Sequence, residues 1–413
     1  MIQIAVLGHG VVGSGVVQLL EKNRESISRK AGTEICVKRI LELRDFSGLA
    51  YAKKFCTSFD DILSDTTIGV VVEVMGGIHP AYDYAASALK AGKSVVTSNK
   101  ELVAAKGHEL LRIAEEMGQN FLFEASVGGG IPIIRPLHQC LGANEIDEIV
   151  GILNGTTNFI LTKMIRESMD FGDALKIAQE LGYAEKDPTA DIEGHDTCRK
   201  ICILASLAFG SHVYPKSVDT LGITQISAED VRYAQSVGRV IKLLGHARKV
   251  DDKCEIWVGP AMIERDSPLA GVEDVFNGIL VRGDATGDVV FYGKGAGSLP
   301  TASAVISDII DCVTAEGTIA SLHWAEADES KLAELGEQPT TRYLRCCGSE
   351  VGAAVKQVFG EISPLHRSNK PENELAFITP EITGFELKEK LAELATREIT
   401  VAGNIRLWGQ GKI

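Results

Sequence analysis

Short apolar runs alternate with amphipathic stretches along the first third of the chain. The apolar runs are QIAVLG, EICVKRILEL, IGVVVEVMG, KSVVTSN and NFLFEAS, and helical patterns such as AYDYAASALKAG and AAKGHELLRIAEEMG lie between them. Strands that are apolar throughout and separated by helices are typical of a parallel sheet covered on both faces. The pattern predicts an α/β domain with a parallel sheet over residues 1–134.

The alternation changes after GGGIPIIRP, where two prolines interrupt it. Residues 135–316 mix strands with longer helical segments, which predicts a second domain of α+β type. Residues 317–339 are acidic and poor in strand-forming residues, so we expect them to form a linker.

The last part, residues 340–413, has a separate pattern of predicted strands and helices. Its segments TRYLRCC, EVGAAVKQVF, ISPLHRSN, ELAFITPE, FELKEKLAEL and ITVAGNIRLW predict the βαββαβ order of a small ferredoxin-like unit. This order resembles an ACT domain, a module that often binds amino acids in biosynthetic enzymes. Cys347-Gly348-Ser349-Glu350 replaces the usual Asp-x-x-Gly loop, so a dimer-building role is at least as strong an expectation as ligand binding. Exposed edges of so small a unit usually find a partner, and we expect it to pair between subunits.

The composition excludes some classes of partner. The 413 residues include 56 acidic and 42 basic side chains, for a formal net charge of −14. Nucleic acids and membrane surfaces are themselves negative, so we expect neither as a partner. No apolar run approaches the roughly 18 residues of a membrane span, and MIQIAVLGHG at the start has no basic leader. Nine cysteines without a C-x-x-C pair favour reduced thiols in the cytoplasm.

A glycine-rich loop follows the first predicted strand and opens a helical pattern. In such a loop, glycines permit a tight turn, close approach of the backbone to a pyrophosphate, and close packing of helix on strand. The free N–H groups of the helix N-terminus then face the phosphates. The loop predicts a Rossmann-type dinucleotide site, and the alternative is a turn that serves packing alone. The residues concerned are Gly8, Gly10, Val11, Val12 and Gly13.

The residues after the second predicted strand bear on the choice between NAD and NADP. An acidic side chain there binds the free ribose of NAD, whereas a basic one can neutralise the 2′-phosphate of NADP. Glu42 and Asp45 suit NAD. Arg44 suits NADP, and Lys53 and Lys54 follow it in the next segment. We expect NADP, with NAD as the alternative.

An acid-rich segment, AQELGYAEKDPTADIEGHDTCRK, leads into a predicted helix. On that helix Asp196 and Lys200 lie four residues apart and hence on one face. A solvated ion pair is the simple interpretation, but the neighbouring carboxylates suit a cationic amine, and a lysine beside them can pass a proton to a reacting oxygen. A metal site formed by His195, Cys198 and Cys202 is disfavoured because these side chains diverge around the helix.

The spacing in this segment, Ala178-x-x-x-Gly182-Tyr183 and then Asp187-Pro188-x-x-Asp191-Ile192-x-Gly194-x-Asp196-x-x-x-Lys200, resembles the signature of homoserine dehydrogenase. Further motifs match that family in order, over residues 1 to about 312. They are Ser98-Asn99-Lys100, Glu124-Ala125-Ser126-Val127-Gly128-Gly129-Gly130-Ile131-Pro132, Asn154-Gly155-Thr156-Thr157-Asn158, Gly295-Ala296-Gly297 and Pro300-Thr301.

The resemblance implies interconversion of L-homoserine and L-aspartate 4-semialdehyde with NAD(P), in threonine and methionine biosynthesis. It implies that residues 135–316 form a substrate-binding and dimerisation domain of a homodimer or homotetramer. Lys200 would be the acid–base group, and Lys100 would lie between nicotinamide and substrate. The implied substrate ligands are Glu185, Asp191, Asp196 and Thr156. The implied cofactor contacts are Ser98, Lys100, Gly182 and Gly297.

The resemblance also implies a monovalent-cation site in the turn from Glu124 to Ile131. Its ligands would be the carboxylate or carbonyl of Glu124 and the carbonyls of Val127, Gly129 and Ile131, which suit Na⁺. The alternative is a glycine-rich turn that binds no ion.

Two lysines near one reacting oxygen would each lower the pKa of the other through like-charge repulsion. Two other functions stay open: a different amino-acid semialdehyde reductase, and a non-catalytic dinucleotide sensor. Because a sensor would be expected to have lost Lys100 or Lys200, and both are present, the sensor is disfavoured.

Overall fold

The computed structural model describes residues 1–315 and 322–409. Its N-terminal part is a six-stranded sheet in the order β3-β2-β1-β4-β5-β6, with every neighbouring pair parallel. The strands are β1 (Ile2–Leu7), β2 (Ile35–Leu41), β3 (Phe55–Cys56), β4 (Ile68–Glu73), β5 (Ser94–Thr97) and β6 (Phe121–Leu122). The helices are α1 (Val11–Lys22), α2 (Arg24–Ala31), α3 (Asp60–Leu63), α4 (Ala81–Lys90) and α5 (Lys100–Glu116). The predicted Rossmann-type sheet is confirmed, and its order reverses between β1 and β4, where ligands bind in such folds.

The second part is built on a mixed sheet. Its strands are β7 (Ile146–Ile152), β8 (Asp219–Thr220), β9 (Arg239–Val250), β10 (Lys253–Glu264), β11 (Phe276–Gly283) and β12 (Gly287–Lys294). Its helices are α6 (Gly155–Glu167), α7 (Phe171–Glu180), α8 (Thr189–Ile192), α9 (His195–Phe209), α10 (Ala228–Ser236) and α11 (Ser298–Thr314). The path along the sheet is β12-β11-β7-β9-β10, and α6, α9 and α10 pack against β9. The α+β type expected for this part is confirmed.

Helix α11 belongs to the second part by sequence but packs on the first sheet. Its Ala302, Val305 and Ile309 share one core cluster with Ile4 of β1 and Val16 of α1. The chain therefore returns to the N-terminal domain before the C-terminal unit begins.

The C-terminal unit has the predicted βαββαβ order. Its elements are β13 (Pro339–Thr340), β14 (Arg342–Cys347), α12 (Val351–Phe359), β15 (Pro364–Leu365), β16 (Glu374–Ile378), β17 (Ile382–Thr383), α13 (Gly384–Thr396) and β18 (Thr400–Trp408). The strand order is β18-β14-β16-β15, and β13 pairs with β17 in a separate ribbon.

The outer edge of β18 is not free. It pairs in parallel with β10 of the same chain, with Ala261 opposite Arg406 and Ile263 opposite Trp408. This edge is therefore not exposed, because the catalytic sheet of its own chain already covers it. The expected pairing of the unit between subunits stays a prediction. The opposite edge, β15, has only two residues.

The predicted linker is not a loose connection in its described part, residues 322–339. Trp324 is 3% exposed, and Ala325 and Leu332 form isolated bridges to Ser211 and Cys254. The rest of the predicted linker, up to residue 321, lies outside the described residues. Within the described ranges, no helix has both the length and the apolar composition of a membrane span.

Candidate active site

The glycine loop adopts the tight turn that the sequence predicts. Gly8 has φ +97°, and a Cβ on Gly13 would lie 2.1 Å from the carbonyl oxygen of Gly8. Only glycine fits at these two positions. Around Gly10 the space is open, and α1 begins directly after it with Val11 and Val12, so the helix N-terminus is accessible to a phosphate group.

A cleft of about 870 Å³ lies between the N-terminal sheet and the second part. Predicted cofactor, substrate and catalytic residues from both parts line it. They are Val12, Ser98, Lys100, Thr156, Gly182, Asp191, Asp196, Lys200 and Gly297, together with Val127 and Gly129 of the proposed cation turn. The structure thus brings together residues that lie up to 285 positions apart, from Val12 to Gly297.

Asp196 lies at the centre of a buried charge cluster in this cleft. The Lys200 Nζ donates to Asp196 Oδ2 at 2.8 Å and to the carbonyl oxygen of Leu153 at 2.7 Å. The Lys100 Nζ pairs with Asp196 Oδ1. Asp196 is 3% exposed and Lys200 7% exposed, so the interpretation as a solvated surface ion pair is excluded.

Asn154, named above only as part of a family motif, has a role in the site that the sequence did not predict. Its side-chain NH₂ donates to Asp191 Oδ1 at 2.7 Å and to Asp196 Oδ2 at 2.8 Å. Its side-chain oxygen accepts from the backbone N–H of Thr157 and so caps α6. One amide therefore fixes both aspartates relative to α6. An asparagine just before a helical pattern is the available sequence signal, and it predicts a cap but not the aspartates.

A second asparagine holds the other wall of the cleft. Asn99 caps α5 by accepting from Leu102 N–H, and its NH₂ donates to the carbonyl of Gly77 at 2.6 Å. Buried Glu73, at the end of β4, accepts from Thr97 Oγ1 and from Met75 N–H. Burial raises the pKa of Glu73, while these hydrogen bonds oppose the rise. Together Asn99 and Glu73 fix the start of α5, where Lys100 lies.

Burial and neighbouring charges set the pKa values of the cluster. Burial and the charge of Lys100 lower the pKa of Lys200, against the opposing pull of Asp196. Burial alone would raise the pKa of Asp196, but the two lysines hold it well below its usual range. The pKa of Asp191 is raised by burial and by the charge of Asp196.

The expectation that each lysine lowers the pKa of the other is correct for Lys200 and wrong for Lys100. Burial lowers the pKa of Lys100, but Asp196 and Asp191 outweigh it and the net shift is upward. The difference arises because Lys100 is less enclosed, with 39% of its side chain exposed against 9% for Lys200.

The remaining predicted substrate ligands are Thr156, at the start of α6, and Glu185, in the loop before α8. Thr156 Oγ1 donates to the carbonyl of Tyr183 at 2.7 Å, and this ties the start of α6 to the loop. Glu185 is exposed, and the cleft lining does not include it. Its backbone carbonyl accepts from the side chain of Gln179, and the neighbouring Ala184 is buried. The structure therefore does not place Glu185 beside Asp191 and Asp196.

The end of β2 presents a bonded acid–base pair. Glu42 accepts from the backbone N–H of His9 in the glycine loop at 3.0 Å and from the Arg44 guanidinium at 2.8 Å. Hydrogen bonds, first of all from Arg44, lower the pKa of Glu42 to about 2. Arg44 is 63% exposed in its side chain and lies over the ring of Phe46.

The carboxylate of Glu124 has a structural role. It accepts from the backbone N–H groups of Ile133, Ile134 and Arg135 at 2.6 to 2.9 Å. These bonds favour the carbonyl of Glu124, the other ligand that the resemblance offers, over its carboxylate as the oxygen for a cation. The turn that follows keeps backbone carbonyls as the remaining oxygen ligands, and Gly129 there has φ +58°.

The other metal site considered from the sequence has no geometric support. His195 is exposed at the start of α9, whereas Cys198 and Cys202 are buried on its core side. Among residues 1–315 and 322–409, no group of three or more His, Cys, Asp or Glu side chains is placed to hold a metal ion.

A Rossmann-type sheet whose glycine loop and switch point open onto a cleft is typical of proteins that bind a nicotinamide dinucleotide, a class that includes the NAD(P)-dependent oxidoreductases. Sequence models described as "Homoserine dehydrogenase, NAD binding domain" and "Homoserine dehydrogenase" match residues 8–124 and 132–310. The chain belongs to the homoserine dehydrogenase family.

Individual relatives agree. A homoserine dehydrogenase of Bacillus subtilis is 42% identical over 312 residues, which cover 75% of this chain and 72% of that one. The crystal structure of a homoserine dehydrogenase from Thiobacillus denitrificans is similar with a TM-score of 0.89 and 38% identity, over 98% of both chains. A hyperthermophilic archaeal homoserine dehydrogenase in complex with NADPH is similar with a TM-score of 0.64 and 29% identity, over 75% of this chain and 97% of that one.

Proposed function

We propose that this cleft interconverts L-aspartate 4-semialdehyde and L-homoserine, with Lys200 as the acid–base group. The observation that carries the assignment of roles is Asp196, buried and in contact with both Lys200 and Lys100. A reduced nicotinamide bound in the cleft would supply the hydride. What the chain must supply is a proton for the carbonyl oxygen and positive charge beside it.

Lys200 is suited to deliver the proton. Its Nζ is buried, so it moves little, and its two hydrogen bonds leave one N–H direction for a substrate oxygen. Its lowered pKa brings the group closer to working pH, where it can both donate and accept. Lys100 stays protonated because its pKa is raised, and it serves as the fixed positive charge.

Carboxylates in and around the cleft would bind the substrate's ammonium group and hydroxyl. Asp191 and Asp196 are held by Asn154, and Thr156 lies at the start of α6 next to them. Glu185 stays a prediction of the family resemblance. Its loop reaches the cleft through Gly182 and Tyr183, which line it.

We propose NADP(H) as the preferred cofactor, with Arg44 as the residue that neutralises the 2′-phosphate. The exposed guanidinium at the end of β2 supports the preference. Glu42 opposes it, since a carboxylate at this position is the usual partner of a free ribose in NAD enzymes. Arg44 offsets that carboxylate through a direct ion pair, so the net charge that the pair presents is near zero.

For the cation turn we propose a site formed by carbonyl oxygens alone. Carbonyls of Glu124, Val127, Gly129 and Ile131 suit a hard monovalent ion such as Na⁺. The Glu124 carboxylate would then act indirectly, by holding residues 133–135 and so the end of the turn.

The C-terminal unit resembles an ACT domain in strand order. We propose that the enzyme is a homodimer or homotetramer. We also propose that it acts in threonine and methionine biosynthesis, in the cytoplasm. All nine cysteines are free thiols, which fits the cytoplasm. Because Cys347–Glu350 replaces the usual ligand loop, we expect threonine to inhibit weakly or not at all.

The decisive experiment is turnover of aspartate 4-semialdehyde compared with other amino-acid semialdehydes, each with NADPH and with NADH. We expect the highest kcat/KM for aspartate 4-semialdehyde with NADPH. A higher kcat/KM for a different semialdehyde would contradict the proposed substrate, and a higher value with NADH would contradict the proposed cofactor alone.

A further inference from the structure

A single indole ring bridges the two helices that carry the lysines. Trp324 lies in the segment between α11 and the C-terminal unit and is 3% exposed. Its ring contacts Phe123 edge-on, with centroids 5.7 Å apart, and stacks on His212 at 6.0 Å. Phe123 belongs to the N-terminal domain, and His212 lies just after the end of α9. The ring therefore lies at the junction of the two parts that form the cleft.

Hydrogen bonds from the ring and from the backbone tie Trp324 and Ala325 to α5 and to the end of α9. The indole Nε1 donates to His212 Nδ1 at 2.8 Å, and the carbonyl of Trp324 accepts from His108 Nδ1, in α5, at 3.1 Å. Ala325 N–H donates to the carbonyl of Gly210, which ends α9. Burial lowers the pKa of His212 to about 4, so its ring is neutral at pH 7 and Nδ1 can accept.

The sequence of α5 is adapted to this ring. Gly107 stands in the middle of the helix, where glycine is the least favourable residue after proline. A Cβ there would lie 2.7 Å from Cζ2 of Trp324, so a larger residue would push the ring or the helix away. The contact with Trp324 therefore explains why a glycine occupies this position in the helix.

Gly107 and Lys100 lie on the same face of α5. Seven residues separate them, about 20° short of two helical turns and about 10 Å along the axis. That face packs on α9, where Lys100 meets Asp196 at one end, and Trp324 fills the space against Gly107 at the other. The Trp324 contact lies outside the cleft, so it can hold α5 without taking part in the chemistry.

We propose that Trp324 is a positioning residue: it holds α5 against the end of α9 and thereby fixes Lys100 beside Asp196 and Lys200. This inference rests on the roles proposed above for the two lysines. It predicts that changes at Trp324 or Gly107 alter catalysis although neither residue lines the cleft.

The test is a mutant cycle in the full chain. We expect W324A and G107A each to lower kcat about tenfold through misalignment, with KM for NADPH changed less than about twofold. The double variant G107A/W324A should be no slower than W324A, because the added methyl group then points into vacated space. The control is G352A, a glycine inside α12 with open space around its Cβ position, which should leave kcat unchanged.

A pH profile separates positioning from simple loss of stability. The charge of Lys100 is one cause of the lowered pKa of Lys200, so moving Lys100 away should shift the midpoint of the kcat–pH profile upward in W324A and G107A. If W324A does not fold, G107A/W324F replaces the double variant, since the smaller ring should restore part of the kcat lost in G107A.

Three results would overturn the inference: kcat of G107A within twofold of wild type, losses that multiply in the double variant, or no recovery in G107A/W324F. A K200A variant measured alongside distinguishes failure of the positioning role of Trp324 from failure of the acid–base role of Lys200. If K200A loses activity while G107A and W324A keep wild-type kcat, only the positioning role is rejected. If K200A keeps full activity, the proposed acid–base residue is rejected.

Discussion

Asp196 is the residue on which the electrostatics of the cleft depend. Its two oxygens contact different lysines, and the one more deeply buried, Lys200, has its pKa lowered while Lys100 has its pKa raised. In the proposed mechanism this difference suits Lys200 to proton transfer and Lys100 to the role of a fixed positive charge. This division of roles follows from unequal burial, because the desolvation cost is larger for the more enclosed ammonium group.

Removing the side chain of Lys200 should affect chemistry more than binding. We expect K200A to lower kcat about 10²- to 10⁴-fold, the range for loss of a positioned acid–base group, with KM for NADPH little changed. Steady-state rates in both directions check this, with circular dichroism to confirm folding. Near-normal turnover in a folded K200A would move the proton transfer to another group, Lys100 first.

Glu185 offers a test of whether its exposed loop closes over the substrate. If it does, E185Q should raise KM for homoserine several-fold while KM for the cofactor stays constant, since a charge-assisted bond to the ammonium group is weakened. The matched control is E180Q, which changes an exposed glutamate at the end of α7 and should leave KM for homoserine unchanged. Equal behaviour of E185Q and E180Q would leave Glu185 outside the site, where the structure places it.

Arg44 can be examined through cofactor preference. R44A should weaken NADPH binding about tenfold and leave NADH binding little altered, because only NADPH carries the 2′-phosphate that the guanidinium would meet. Fluorescence titration of both reduced cofactors gives the comparison. If both dissociation constants rise together, Arg44 acts on the glycine loop through Glu42 and His9, to which it is hydrogen-bonded, and our preference for NADP is wrong.

Among the elements, α10 joins the catalytic sheet to the C-terminal unit through a buried polar network. Asp230, in a capping box with Ser227, is fully buried and accepts from Tyr343 Oη and from Arg345 Nε, both at 2.9 Å. Arg345 also faces Glu374 of β16. Asp230, the acidic residue of the α10 capping box, is therefore the counter-ion of Arg345 in the C-terminal unit.

Breaking this network should destabilise the fold without touching the cleft. D230A leaves the Arg345 guanidinium buried without its main partner, a change that typically costs about 3–5 kcal/mol. We expect a lower midpoint of urea unfolding and unchanged kcat below the transition. The adjacent surface pair gives the control, since E229Q removes an exposed contact with Arg232 worth about 0–1 kcal/mol. Equal midpoints for the two variants would contradict a stabilising role of the network.

The elements show what the sequence could predict and why the rest escaped it. Periodicity predicts β1, β4 and the βαββαβ unit, because their burial pattern is local to each segment. The spacing of Asp196 and Lys200 predicts their contact for the same reason. The partner of the Glu124 carboxylate and the position of α11 depend on where distant segments pack, and no local pattern encodes that.

At the scale of the whole molecule, one sheet runs from β12 through β10 and β18 to β15, across the catalytic part and the C-terminal unit. Trp408, the last residue of β18, donates from Nε1 to Glu148 Oε1 of β7 at 2.9 Å, and the same carboxylate contacts His246 and Arg282. The C-terminal unit is thus part of the framework of the catalytic part.

This continuity sets the expected result of truncation before Thr340. The residues proposed for the chemistry lie upstream, so kcat per folded site at 25 °C should stay within about threefold of the full chain. Stability should fall, because removal of β18 leaves Ala261–Ile263 of β10 as an unpaired edge and takes Trp408 from Glu148. Thermal unfolding and light scattering should show a lower midpoint and more aggregation. A truncated chain as stable as the full one would show that β18 adds nothing to the stability of β10. A loss of kcat beyond tenfold in folded protein would place the C-terminal unit in the chemistry.

Threonine titrated into the full chain tests whether the C-terminal unit is regulatory. We expect weak inhibition or none, because Cys347–Glu350 replaces the usual ligand loop. Strong inhibition that disappears on truncation would contradict this expectation and assign the unit a regulatory site.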